Sequence, residues 1–162
     1  MVVLRYAYVL ALIVWVGGLI AAGAFVAPAL FGVLQADAGV AGRALAGAAF
    51  GEVLRRVLVA GEVAGVVMFV TMTVLRLLGP KPLSYGIRAV LVAAMLAVTS
   101  YTAHVLLPEA DGLRREMAGS GAQAAADDPR RVRFDQLHSL STTLVTAIAI
   151  AGLGLAAWEA RE

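Results

Sequence analysis

The sequence predicts an all-α integral membrane protein, an up-down bundle of four helices, and its composition and charge placement carry this prediction. Of the 162 residues, 61% are hydrophobic and only 15% are charged, whereas soluble domains average ~45–50% apolar and ~25% charged residues. The few charges are unevenly placed and leave four long stretches that are uncharged, apart from a single acid, Glu62, in the second. These stretches do not alternate lipid-facing and polar residues, which excludes membrane β-strands.

The composition also excludes several function classes. The chain has no cysteine, so neither a disulfide framework nor a thiolate metal site is expected. A formal net charge of +2 is too small to suggest nucleic acid as a partner. The high hydrophobicity excludes a disordered chain. We therefore expect the lipid bilayer to be the main partner.

The uncharged stretches define four predicted spans within a single domain, 1–162. A helix needs ~20 apolar residues to cross ~30 Å of hydrocarbon, and each stretch is about that long or longer. The first is too long for the ~7–15-residue core of a signal peptide. The predicted spans lie near 6–31, 54–78, 86–107 and 136–158.

The segments between the spans differ in character. Residues 32–53 are rich in Ala and Gly and are expected either to continue the first helix or to lie along the membrane interface. Residues 79–85 contain two prolines and predict a tight turn, and residues 108–135 form the large polar segment. An even number of spans puts both termini on one side of the membrane. The bases on that side, including Lys81 in the 79–85 turn, which has no acid, favour a cytoplasmic position.

Glycines in the spans indicate how the helices pack. Lipid provides no hydrophobic drive for helix association, so small residues that allow close approach matter. We expect these positions to serve packing inside the bundle. The alternative is a homo-oligomer that forms through the same glycine-rich faces. The candidate packing residues are Gly17, Gly18, Gly61, Gly65 and Gly152.

Three ionisable residues inside the spans, Glu62, His104 and His138, are the candidate site. Such groups are costly in a membrane and are functional candidates by default. Antiparallel helices would bring all three toward the membrane face of the 108–135 segment. Asp135 lies three residues before His138, on the same helix face, where its carboxylate could orient the imidazole. This favours a protein of transport or resistance type with a polar site at that face.

Two alternatives remain open. His104 and His138 could bind a transition metal or haem, since imidazole suits Cu, Zn, Ni and Fe, with Asp135, Glu109 or Glu62 as further ligands. The chain could instead be a structural or assembly subunit of a membrane complex. No nucleophile elbow, phosphate loop or dinucleotide fingerprint is present in the sequence, so we do not expect an enzyme.

Several segments resemble the transmembrane protein 205-like family. They are Trp15-Val16-Gly17-Gly18, Leu106-Leu107-Pro108-Glu109 and Phe134 to Ser141. The first span is also similar to the copper-resistance protein D type. The resemblance implies a four-span membrane protein without an agreed activity. It adds Arg114 and Ser141 to the polar site, since both match the motif, as do Pro108, Phe134 and His138. The sequence departs from the pattern at His104, and at Val145, where Asn is more usual.

Overall fold

The computed structural model describes residues 2–78, 85–119 and 128–161, with side chains up to residue 117 in the second range. These residues are almost entirely helical, and none of them lies in a strand. Two short π-helical turns, Ala22–Val26 and Thr102–Leu106, join neighbouring α-helices. The α-helices are α1 (Val2–Ala21), α2 (Ala27–Leu78), α3 (Tyr85–Tyr101), α4 (Leu107–Gly119) and α5 (Pro129–Glu159).

Three helical segments are long and apolar enough to cross a membrane: Val2–Leu78, Tyr85–Met117 and Pro129–Glu159. The all-α prediction is confirmed. The predicted count of four separate helices is not what the described residues show, because residues 32–53 are themselves helical and join the first two predicted spans. Their alanines explain this, since Ala has the highest helix propensity.

The backbone nevertheless breaks inside α2, at Ala38 and Gly39. Gly39 has φ +55° and ψ −124°, a conformation that glycine adopts without steric cost. Just beyond the break, a Cβ on Gly42 would overlap the carbonyl oxygen of Leu34. The chain therefore bends sharply here, and α1 packs against the part of α2 that follows.

Each π-helical turn ends two residues before a proline. Pro28 follows Ala22–Val26, and Pro108 follows Thr102–Leu106. A proline has no N–H for the carbonyl four residues earlier and crowds it, and a wider π turn accommodates such a mismatch. The helix continues through both prolines. His104 consequently lies in the middle of a π turn.

Trp15 is at the centre of the apolar core, with a side chain that is 0% exposed. Leu58, Met68 and Val92 are equally inaccessible. Large aliphatic side chains elsewhere, such as Leu10 on α1, are exposed on the outer surface. An apolar exterior around a packed interior is expected of helices that face lipid.

The start of α1 and the end of α5 lie together at one end of the molecule. Arg5 near the start of α1 and Arg88 near the start of α3 both bond to Glu159 at the end of α5. The end of α2 joins them, because the hydroxyls of Thr73 and Tyr85 are hydrogen-bonded at 3.1 Å. Tyr85 begins α3, and the rest of the predicted 79–85 turn lies outside the described residues.

The predicted polar segment 108–135 is largely helical at the opposite end. It contains most of α4 and the start of α5, and residues 120–127 lie outside the described part of the chain. Asp128 caps α5, because its Oδ1 accepts from the backbone N–H of Arg130 at 2.8 Å, and Pro129 occupies the first turn. An aspartate cap and a proline in the first turn are both favourable at a helix N-terminus.

Candidate functional site

The clearest polar contact between spans joins Glu62, Ser100 and His104, which we call the Glu62 cluster. The Ser100 hydroxyl donates to Glu62 Oε1 at 2.7 Å. His104 Nε2 lies 2.9 Å from Oε1 and 3.2 Å from Oε2 of the same carboxylate. Two of the three predicted ionisable residues are therefore in direct contact.

The local sequence explains how the Glu62 cluster forms. Ser100 and His104 are four residues apart and share one helix face, and the π turn continues that face to the end of the span. Glu62 reaches them from α2. Its side chain is only 19% exposed, whereas His104 is 62% exposed. The carboxylate is thus the inner member of the cluster, and the imidazole is the outer one.

Hydrogen-bonding partners of this kind stabilise a carboxylate that is largely shielded from solvent. Burying a charged group is costly unless hydrogen bonds compensate it, and Glu62 has both a hydroxyl donor and an imidazole. Neither partner carries a permanent positive charge.

His138 occupies a different environment. Its ring stacks on Phe134 one turn earlier, with centroids 6.2 Å apart and planes 7° from parallel. The hydroxyls of Ser141 and Thr142 donate to the backbone carbonyl of His138 at 2.9 Å, not to its ring. Ser141 therefore lies beside His138 in the helix without contacting the imidazole.

Asp135 does not orient His138 through a hydrogen bond in the described part of the structure. Its side chain is exposed and lines an open groove of about 600 Å³ along α5. The other lining residues are Val132, Gln136, Ser139, Leu140 and Thr143. The groove is shallow and lies on the outer surface of the helix.

Arg114 reaches the same region from α4. It is paired with Asp111 at 2.9 Å, and its guanidinium lies 5.9 Å from the centroid of the Phe134 ring. Phe134 therefore lies between Arg114 and His138. Nearby, Arg133 pairs with Glu109 at 2.8 Å and ties α5 to α4.

Charges around the start of the predicted 54–78 span are paired locally. Glu52 bonds to both Arg55 and Arg56 on the same face of α2. These guanidinium hydrogen bonds lower the pKa of Glu52 to about 2. On α5, hydrogen bonds from Arg130 lower the pKa of Asp128. Glu62 differs from both acids because its partners are not arginines.

The two histidines have separate neighbours, since His104 contacts Glu62 and His138 stacks on Phe134. Among the residues described, no group of three or more His, Asp or Glu side chains is placed to hold a metal ion. The predicted metal or haem site at His104 and His138 therefore stays a prediction with no ligand set behind it.

Four of the five candidate packing glycines face side chains of the same chain. A Cβ on Gly61 would lie 2.5 Å from Trp15 Nε1, and one on Gly65 would lie 2.8 Å from the Trp15 ring. Gly152 faces Val16 in the same way, and Gly18 faces Val57 at 3.3 Å. Gly17, in contrast, has no atom within 4 Å of its Cβ position.

Sequence reasoning missed two features. Ser100 is a partner of Glu62, and its spacing of four residues from His104 was the available signal. The contact of Arg88 and Glu159 had no such signal, because 71 residues separate them.

Taken together, the helical fold and the apolar exterior define an all-α membrane protein. A family model, the domain of unknown function DUF4149, matches residues 10–119, and the chain belongs to this family. The match includes the whole Glu62 cluster, while Asp135 and His138 lie beyond it. The match does not confirm the resemblance to the transmembrane protein 205-like family or to the copper-resistance protein D type, which stays a prediction. Comparisons with curated proteins and with solved structures found no match.

Proposed function

We propose that this chain is a four-span membrane protein of transport type in which the Glu62 cluster binds a proton. The observation that carries the proposal is a carboxylate inside a predicted span, 19% exposed, held by a hydroxyl and an imidazole. Ionisable groups at such positions mark ion pathways and proton relays. Nothing in the sequence or the described geometry indicates catalysis.

The sharp bend in α2 supports four spans. A straight helix rises 1.5 Å per residue, so Val2–Leu78, with 77 residues, would be roughly 115 Å long, far more than ~30 Å of hydrocarbon requires. The bend at Ala38–Gly39 divides it into two helices that pack together. Arg5 and Glu159 place the two chain ends side by side, as an even number of spans requires. The bases near this end favour a cytoplasmic position.

The placement of the cluster supports access from one side. His104 is well exposed and lies near the end of its span, whereas Glu62 lies deeper. A proton could therefore pass from water to the imidazole and then to the carboxylate. We assign His138, Asp135 and Arg114 to the surface around this entrance, where α4 and the start of α5 lie. Ser141, which is buried, follows His138 on α5.

Proton uptake by proteoliposomes tests the proposal. The purified full chain is reconstituted into liposomes that contain a pH-sensitive dye, and a potassium gradient with valinomycin sets the membrane potential. We expect proton influx above that of protein-free liposomes. Glu62→Gln keeps the shape of the side chain and should lower this influx at least ~10-fold, because an amide does not bind the proton.

Glu52→Gln is the matched control. It makes the same chemical change on the same helix, but at an acid that is paired with two arginines. Its proton influx should equal that of the wild type. Equal influx in Glu62→Gln and wild type, or no influx above protein-free liposomes, would contradict the proposal.

A further inference from the structure

Two polar atoms in the core of the bundle make no hydrogen bond with any described residue. They are the indole Nε1 of Trp15 and the hydroxyl Oγ1 of Thr99. Both residues are 0% exposed. A buried polar group without a partner is unfavourable, and bound water is the usual partner of such groups.

Thr99 differs from other buried threonines of the spans. The Thr71 hydroxyl donates to the carbonyls of Val67 and Met68, at 2.7 and 3.0 Å. The Thr102 hydroxyl donates to the carbonyl of Val98 at 2.8 Å. Such bonds to the preceding turn are the ordinary state of a threonine in a membrane helix. The Thr99 hydroxyl makes no such bond and is left for another partner.

The two atoms lie at the same depth in the bundle. Glu62 contacts Ser100, and Leu96 approaches Gly65, which sets the register of α2 against α3. Trp15 Nε1 lies against Gly61, directly before Glu62, and Thr99 directly precedes Ser100. Both are therefore in the layer of the Glu62 cluster, on its inner side.

We propose that one water molecule is bound in the core between Trp15 and Thr99. An indole N–H can only donate, and a threonine hydroxyl can both donate and accept. The missing ligand must therefore accept from Trp15 and form a second hydrogen bond with Thr99. Water meets both requirements. This site is carried by the two unpartnered atoms and does not depend on proton binding at Glu62.

NMR of the indole N–H tests this proposal. The chain is labelled with ¹⁵N-tryptophan in detergent micelles, with Trp158→Phe as the background so that Trp15 gives the single indole signal. We expect a cross-peak between the Trp15 indole proton and a long-lived water. Thr99→Val, which replaces the hydroxyl with a methyl group, should shift the indole signal and abolish the cross-peak.

Thr71→Val is the matched control, because its hydroxyl already bonds to carbonyls, and it should leave both the signal and the cross-peak unchanged. The wild-type cross-peak is informative even if Thr99→Val does not fold. The proposal is overturned if the wild-type indole proton shows no cross-peak to water or contacts detergent chains instead. A cross-peak that persists in folded Thr99→Val also overturns it.

Discussion

Two sheltered carboxylates, Glu62 and Glu159, lie toward opposite ends of the molecule and are handled in different ways. Glu159 is 14% exposed and accepts from Arg5 at 3.2 Å and from Arg88 at 3.0 Å. Glu62 is 19% exposed and is held by Ser100 and His104. The two carboxylates are similarly shielded from solvent, whereas only the partners of Glu159 are permanently charged.

This difference suits Glu159 to a structural role. Arginine keeps its charge at any pH that a protein encounters, so Glu159 links three helices through permanently charged partners. Trp158 lies 5.2 Å from the Arg88 guanidinium and covers it. The partners of Glu62 are a hydroxyl and an imidazole. The proposed proton-binding cluster therefore lies away from the end of the molecule that the two arginines hold together.

The largest expected difference in stability is between the variants that neutralise the two carboxylates. Glu159→Gln removes the carboxylate that Arg5 and Arg88 share and should destabilise the protein by about 3 kcal/mol, as breaking a buried ion pair does. Glu62→Gln keeps an acceptor for Ser100 and should cost about 1 kcal/mol or less. Reversible unfolding in mixed micelles measures both values. Equal costs would remove the distinction between the two ends.

A smaller effect is expected where Trp15 packs beside Glu62. Gly61→Ala places a methyl group 2.5 Å from the indole, and overpacking of this kind costs ~1–3 kcal/mol. Gly17→Ala is the matched control, because nothing lies near its Cβ position, and it should be neutral or slightly stabilising. Reversible unfolding in mixed micelles measures the stability of both variants. If Gly61→Ala is as stable as Gly17→Ala, the Trp15 contact does not position α2.

The smallest effect concerns Glu52, an exposed acid with arginine partners. Arg55 and Arg56 lower its pKa from 4.5 to about 2 in the folded protein. Its contribution to stability is therefore complete above about pH 4.5 and is lost as the pH falls toward 2. Glu52→Gln should slightly flatten the dependence of stability on pH in this window. An unchanged slope would show that the arginines do not hold Glu52 when the chain is folded.

Much of this architecture is encoded in composition and spacing. The uncharged stretches located the spans, and the rarity of ionisable residues within them singled out Glu62 and His104. Their contact could not be predicted with certainty, because it depends on the register of α2 against α3. The role of Glu159 was missed for the same reason, since charges at span ends look alike until the helices are assembled. Residues 32–53 were ambiguous, because Ala favours a helix while Gly opposes it.

The π turn at Thr102–Leu106 also determines the direction in which the side chains of α4, the next part of the same helix, point. A π turn contains one more residue than an α-helical path of the same length, and each residue of an α-helix turns the chain by about 100°. Without that extra residue, α4 would be rotated by about that angle. Arg114 would then point away from Phe134, although no residue of α4 had changed. The direction in which a charged surface faces is thus decided one helix earlier, next to His104.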